Sequence, residues 1–557
     1  MTVPVFWLAK KGVTCARCRW DEWHVEDLIN GLKAPGRWPK FEHRVVEELP
    51  ATPFAVVCLP GHDHLEEVGW VNGQLNRINR LILFLGSDED SCFPHHLLTH
   101  SSMDLWIMEP RVELEETYPD GTQFINCGSA RATDGMYARD KTVDWFFAGQ
   151  VNHERRQECA EALEAIGGGK VFTTDGFLQG MERTEYLDAM SEAKVVPCPS
   201  GIQSQDSFRL HEALELGCVP LADAYRPDGE GDGYWDLTMP RYPFPLVRRW
   251  SEVGTVMRKV LDTWPWSAIK CHSYWHGRRR QLAQTLRRQI ESGVGNPGHD
   301  LTVVIPTSPI PSHPRLGVID ATIDSIRQRT DAEILVMCDG VRQEQRHRRA
   351  DYYEYLRRLM LYCEKVPNIT PLVFEEHLHQ AEMLRRVLDE IDTEFVLFVE
   401  HDTPLVNEIN LDHVIRMMQA DSINLMRFHH EVAILDAHAH LMVDLHPASG
   451  YRRTMQWSQR PHVARTGWYR DITDRFFAPE ARTMIEDVMF GVVEHDWITR
   501  GEAGWRDWRL AIYEPQGNIQ RSTHTDGREG DPKFEDKYRY RYPGRTPPGA
   551  PLPRQGV

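Results

Sequence analysis

The stretch Val396-Leu-Phe-Val-Glu-His-Asp402 constrains the fold of this chain more than any other. Its run of apolar residues leaves no polar face, so a strand made from it must be covered on both sides, as in a parallel sheet layered by helices. The run stops abruptly at Glu400, His401 and Asp402, and Thr403-Pro404 ends the strand. Ligands of open α/β sheets gather beyond the carboxyl ends of the strands. Two carboxylates delivered there can clamp a metal ion against a diphosphate. The same residues can also be a plain strand end with a solvated acidic turn, and the flanking sequence has to decide.

The rest of the chain repeats the pattern. Val3–Leu8, Phe54–Leu59, Arg80–Leu85 and Leu105–Met108 read as buried strands, with a helix expected over Trp23–Leu32. The strand at Arg80–Leu85 also ends in an acidic run, Gly86-Ser-Asp-Glu-Asp90. A polar patch near 130–141 precedes a second α/β unit that opens with Trp145-Phe-Phe-Ala-Gly149. This alternation of strand and helix predicts parallel sheets. Trp264–Ser292 reads as a basic helix, with Arg278-Arg-Arg280 and Arg287-Arg288, that packs across domains and leads into the linker Gly293–Gly298. As a solvated connector it has no further role; as a basic face it is a nucleic-acid contact. A third domain starts at Leu301–Thr307 and includes strands at Glu333–Cys338 and His440–Val443. The chain closes in a proline-rich tail after about residue 527.

Size and composition fit this plan. A chain of 557 residues holds roughly two to four domains. The formal net charge of −18 makes the average surface repel polyanions and argues against a dedicated nucleic-acid binder. The eleven cysteines are scattered, with Cys58, Cys218 and Cys338 in apolar runs. That pattern predicts reduced thiols and a cytoplasmic setting. Cys15-x-x-Cys18 lacks the second pair that a zinc site needs. Met1–Trp7 reads straight into a strand instead of a signal peptide, and no run approaches the ~18 apolar residues of a membrane span.

Two stretches carry chemistry. In the first half, Pro197-Cys-Pro-Ser-Gly201 enters a helix capped near Asp206 or Ser207, carrying Arg209 and Glu212 and ending at Gly217. A helix N-terminus behind a small-residue loop can take an anion. Arg209 can pair with a diphosphate and Glu212 can accept from ribose hydroxyls; an ordinary β-α-β unit with a surface ion pair is the competing reading. The stretch resembles the exostosin-like glycosyltransferases, with their Cys-Pro-x-Gly, Ser-x-Arg-x-x-Glu-Ala-Leu and Gly-Cys-x-Pro. That resemblance implies two facing Rossmann-like halves, the GT-B arrangement, over 1–135 and 140–262, followed by a basic connector over 263–298.

Residues 299–526 resemble a family 2-type glycosyltransferase of the GT-A fold. The resemblance implies that Pro306, Thr307 and Asp339 contact the donor nucleotide. It implies that Glu400 and Asp402, with His524, hold a divalent cation, Mn2+ or Mg2+. Of the pair Glu486-Asp487, Asp487 is the implied general base and Glu486 the alternative. Each role has a physical reason, since a hard cation neutralises the leaving diphosphate and a carboxylate apart from it takes the acceptor's proton. Trp457, Arg460, Arg465 and Trp468 offer an acceptor platform or core packing, and a second Glu494-His-Asp496 is either coincidence or support for the acceptor site.

The expectation is therefore an α/β chain: a GT-B-like pair of Rossmann-like domains followed by a GT-A-like nucleotide-sugar transferase domain. It would move a hexosyl or pentosyl group from a nucleotide-diphosphate sugar to an acceptor hydroxyl, with inversion in the C-terminal domain. The N-terminal module would add another sugar or bind acceptor. The acceptor would be a glycan, a protein or a hydroxymethylated DNA base, as in a bacterial or phage modification enzyme, with no membrane partner. The alternatives are a nucleotide-sugar or glycan-binding protein without turnover, and a nucleotidyltransferase. The latter needs a Gly-rich, Lys-bearing loop that Pro306-Thr-Ser-Pro-Ile-Pro311 lacks.

Overall fold

The computed structural model describes residues 2–8, 28, 40–60, 68–86, 93–128, 139–174, 176, 180–295, 301–366, 368–431, 433–444, 450–517 and 519–525. Cys15, Cys18, most of the helix expected at 23–32, the acidic run 87–90 and the tail from 527 lie outside them. The chain forms two compact units, Met1–Gly298 and His299–Val557.

The first unit contains two parallel sheets. One consists of β1 (Thr2–Leu8), β2 (Lys40–Val46), β3 (Thr52–Pro60), β4 (Ile78–Gly86), β5 (Met103–Met108) and β6 (Gln123–Ile125), ordered β2-β1-β3-β4-β5-β6. The other consists of β7 (Val143–Gln150), β8 (Gly169–Thr174), β9 (Ala193–Cys198), β10 (Val219–Asp223) and β11 (Leu246–Val247), ordered β11-β10-β9-β7-β8. The apolar runs of β3 and β4 are buried throughout, which the absence of a polar face required. Helix α1 (Phe208–Glu215) packs beside β9 and β10.

Helix α2 (Trp266–Val294) binds the two halves of this unit together. Ala268, Cys271 and Trp275 join the core of the second sheet, while Leu282, Ala283, Leu286 and Ile290 join that of the first. Its arginines are engaged at home. Arg278 donates to the Thr238 carbonyl (2.9 Å), Arg279 meets Glu215 (3.4 Å), Arg287 meets Glu291 (2.9 Å), and Arg280 is buried. This basic run is thus a core helix, not a solvated connector, and those four cations do not form a free face for nucleic acid.

The second unit is built on one eight-stranded sheet: β12 (Leu301–Thr307), β13 (Glu333–Cys338), β14 (Ile369–Val373), β15 (Phe395–Phe398), β16 (Leu425–Arg427), β17 (Tyr451–Thr454), β18 (His462–Arg465) and β19 (Leu510–Tyr513). The order is β14-β13-β12-β15-β18-β16-β19-β17. The first four strands are parallel, and β18 returns antiparallel to β15. The α/β class therefore holds, with two parallel Rossmann-like sheets followed by a mixed eight-stranded one. The strand expected at His440–Val443 is instead a 3-10 turn over Asp436–Leu441, with Met442 alone bridged to Thr454. The five polar or small residues Asp436–His440 before Leu441 give a strand little to bury.

The core of this unit includes an ionisable side chain on β18. His462 is fully buried, stacked on Phe398 and hydrogen-bonded to the Arg460 carbonyl (2.8 Å) and the Tyr469 hydroxyl (3.1 Å). Burial, reinforced by Arg427, pushes its pKa down to about 4. The unfolded chain takes up this proton near pH 6.5 and the folded chain does not. The stability of the neutral form is thus complete above pH 6.5 and falls with acidification towards pH 4, by ~3 kcal/mol in all. Denaturant midpoints between pH 7 and 4.5 should show this slope, and His462→Gln should flatten it; an unchanged slope refutes it.

Candidate active site

The acidic segments of the second unit come together at the carboxyl ends of its parallel strands. β15 leads into Val399 and then a turn in which Thr403 donates back to the Glu400 carbonyl (3.0 Å). His401 is pinned beneath, its Nδ1 on the Pro306 carbonyl (3.2 Å) and its own carbonyl accepting from Thr322 Oγ1 (2.8 Å). The closing segment of the unit runs alongside. Thr525 N donates to the Asp402 carbonyl (2.9 Å) and Thr523 N to the Pro404 carbonyl (3.1 Å). This pairing lays His524 Nε2 3.2 Å from Asp402 Oδ2.

The two carboxylates differ. Glu400 Oε1 accepts from Gln380 Nε2 (3.2 Å), and burial, then the Asp402 charge, push its pKa up to about 7. Burial also works against the charged form of Asp402, but His401 and the hydrogen bond from His524 outweigh it and hold that carboxyl below the usual range. Asp402 and His524 present an oxygen and a nitrogen at a spacing that fits one divalent cation. Glu400 is turned to Gln380, and the three are not drawn in as tightly as Cys127, Asp206 and His211 of the first unit, whose donor atoms lie within 4.8 Å of one another.

Helix α6 (Ile485–Arg500) separates the members of the second acidic pair. Glu486 is partly buried and interacts with Glu400, Arg427 and His438, whereas Asp487 is exposed on the surface. Arg427 is buried at the end of β16. It donates to Gln456 Oε1 (2.9 Å), and its Nε has no partner. Burial pushes its pKa down to about 10, Glu486 opposes that shift, and the neighbouring Arg460 adds to it. Among the described residues, neither Arg427 nor Arg460 has a carboxylate within salt-bridge distance. Sequence reasoning missed Arg427, His438 and Gln456 because nothing near them in the chain marks a site.

Other expected residues are taken up by the protein itself. Pro306 and Thr307 are buried, and Thr307 Oγ1 meets the hydroxyl of Tyr355 (3.1 Å) on helix α3 (Arg349–Lys365). Asp339 accepts from Gly340 N (2.9 Å), Leu378 N (2.7 Å) and His379 N (3.2 Å), and His377 lies 2.7 Å away. It anchors the start of helix α4 (His379–Leu388). Trp457 is a core residue stacked against Trp468 of helix α5 (Thr466–Phe476), and Arg465 is tied to Glu394 and to the backbone, so neither forms an acceptor platform; Arg460 alone of that group faces the site. Glu494 meets His440 and Asp496 meets Arg500, so both carboxylates of the repeated tripeptide have partners within the protein.

In the first unit, Arg209 and Glu212 are both buried on α1. Arg209 donates to the Ala148 carbonyl through Nε (3.1 Å) and Nη2 (2.7 Å). A Cβ on Gly149 would sit 2.2 Å from that Nη2, so only glycine admits the guanidinium. Glu212 accepts from Tyr186 (2.8 Å) and Arg183 (3.1 Å). Arg209 Nη1, Ser207 Oγ and His211 Nδ1 at this helix start, and Ser200 Oγ in the loop before it, have no hydrogen-bond partner. Asp206 receives four donors, from Ser207 N, His211, Cys127 N and Tyr234.

No protein-family model matches the chain, and none of the curated proteins does. Solved structures resemble parts of it. S. aureus TarS 1–349 aligns at TM-score 0.27 and 14% identity, covering 41% of this chain and 60% of that one. The mannosyltransferase PcManGT from Pyrobaculum calidifontis, in complex with GDP-Man and Mn2+, aligns at TM-score 0.27 and 12% identity, covering 42% and 58%. A CMP:2-keto-3-deoxy-manno-octonic acid synthetase complexed with CTP aligns at TM-score 0.25 and 12% identity, covering 43% and 98%. This chain thus spans under two thirds of TarS 1–349 and of the mannosyltransferase. Among the described residues, no helix is long and apolar enough to cross a membrane.

Proposed function

We propose that the second unit transfers a sugar from a nucleotide-diphosphate sugar to an acceptor hydroxyl. One observation carries the reading. Glu400 interacts at once with Asp402, Arg460, His524 and Glu486, which come from separate segments and meet beyond parallel strand ends. Carboxylates and guanidiniums without a carboxylate partner gathered there suit a substrate that brings its own anionic and hydroxyl groups.

Asp402 and His524 would hold a divalent cation, which when bound supplies charge neutralisation for the diphosphate. The rest falls to the protein's own side chains. Glu486 takes the proton of the acceptor hydroxyl as its oxygen bonds to the anomeric carbon. The bond from that carbon to the diphosphate oxygen breaks, and its electron pair leaves with the diphosphate. Arg427 and Arg460 lie where they can stabilise that charge. Attack opposite the leaving group inverts the anomeric centre.

A second site is supported in the first unit by the partnerless Arg209 Nη1, Ser200 Oγ and Ser207 Oγ. These are donors at a helix start, suited to a phosphate. With Glu212 nearby, this unit would bind a second nucleotide sugar or dock acceptor.

The test is a panel of UDP-, GDP- and CMP-linked sugars, including UDP-GlcNAc and GDP-Man, assayed for nucleotide release with Mn2+ or Mg2+. Turnover should stop with a chelator, and Asp402→Ala should lower it about 10²–10³-fold. Full metal-dependent activity in Asp402→Ala would remove that residue from the site. Nucleotide binding without release would favour a binding protein.

A further inference from the structure

The amide of Gln380 lies where the acidic segments of the second unit meet. Its Nε2 donates to Glu400 Oε1 (3.2 Å), and its Oε1 accepts from Ile485 N (3.1 Å), the first residue of α6. Glu486 is the next residue along. From this geometry we infer that Gln380 is a positioning residue for sugar transfer, fixing the Glu400 carboxylate relative to the helix turn that presents Glu486. The inference rests on the transferase reading above and adds to it a residue that touches neither donor nor acceptor.

Three features make this a built connection. Gln380 is 5% exposed, so its rotamer is set by packing. Helix α6 has no side-chain cap at Met484, so one of the N–H groups that a helix leaves unpaired at its start is satisfied by Gln380. The start of α4 is itself immobilised: Asp339 accepts from the two preceding amides, and Ala381 N donates to the Thr483 carbonyl (3.2 Å). His379 adopts φ 63°, a left-handed conformation uncommon outside glycine, which persists only where its surroundings impose it. A Cβ on Gly340 would sit 2.3 Å from the Glu376 carbonyl carbon, so the turn after Asp339 also abuts this segment closely. The carboxyl ends of β13 and β15 and the start of α6 therefore share one junction. A primary amide at this length is the group that donates to a carboxylate and accepts from an N–H at the same time.

Two variants separate positioning from simple capping. Gln380→Ala removes both bonds. Gln380→Glu keeps the length and the oxygen facing Ile485 N but replaces the donor to Glu400 with a second carboxylate. On the full chain, with whichever nucleotide sugar of the panel gives turnover, both should lower kcat about 10–100-fold while donor KM changes little. Hydrogen exchange at the Ile485 amide should accelerate in Gln380→Ala and stay slow in Gln380→Glu, showing that the helix start is intact where catalysis is lost. Wild-type kcat in Gln380→Glu, or a raised donor KM with kcat unchanged, would overturn the inference and leave the transferase reading standing. A wild-type chain that turns over no nucleotide sugar overturns both.

Discussion

Replacing Glu486 by Gln should lower kcat about 10²–10⁴-fold, the usual contribution of a positioned proton acceptor. Asp487→Asn should stay within about twofold of wild type, as surface substitutions usually do. The two residues are adjacent in the first turn of α6 yet differ in surroundings. Glu486 is partly buried and interacts with Glu400, Arg427 and His438, whereas Asp487 is exposed. A base must be near the proton it removes, and only one of the pair faces the cluster. Gln has the same shape as Glu, so donor KM should change little and the loss should appear in kcat. The experiment is initial-rate nucleotide release across donor concentrations for both variants. Loss of activity in Asp487→Asn with activity kept in Glu486→Gln would reverse the assignment.

That pair shows how far sequence alone could go. Glu486-Asp487 was visible as an acidic pair opening a helix, but which member turns inward depends on where the helix sits on the sheet. The continuous apolar runs at Phe54–Leu59 and Val396–Val399 announced buried parallel strands, because such residues have no other stable arrangement. The basic run at 278–288 misled for a related reason. Its arginines alternate with Leu282, Ala283 and Leu286, and composition does not show that backbone carbonyls and Glu215 and Glu291 wait to receive them. His524 illustrates pairing at long range: it reaches Asp402 only because Thr523 and Thr525 hydrogen-bond to the chain around Asp402 and Pro404. Gln380, Arg427 and Asp223 lacked any local signal. Each is a single polar residue whose meaning lies in partners tens of residues away.

Asp223 is the residue of the first unit whose loss should cost most in stability. Its carboxylate is fully buried at the end of β10. It accepts from Arg155 Nε on both oxygens (2.9 Å each), and also from Ser200 N (3.1 Å), Tyr225 N (3.2 Å) and Trp250 Nε1 (3.0 Å). Removing one partner of a buried, multiply bonded ion pair strands the other, at a cost of about 3–5 kcal/mol. Asp223→Ala would leave the mostly buried Arg155 guanidinium and two backbone N–H groups without their acceptor, so a loss of that size is expected in chemical denaturation. The consequence reaches the candidate anion site, since Ser200 N is one of the stranded donors and the Ser200 carbonyl accepts from Arg156 Nε (2.9 Å). Asp223→Asn should lose less, because one oxygen remains to accept. The midpoint should be read from a signal of the first unit, such as the fluorescence of the buried Trp250. A loss below about 1 kcal/mol in Asp223→Ala would mean that water reaches Arg155 and the loop when the carboxylate is gone. The strand ends of this sheet would then be an open surface, not the rigid frame that a phosphate site on Ser200, Ser207 and Arg209 requires.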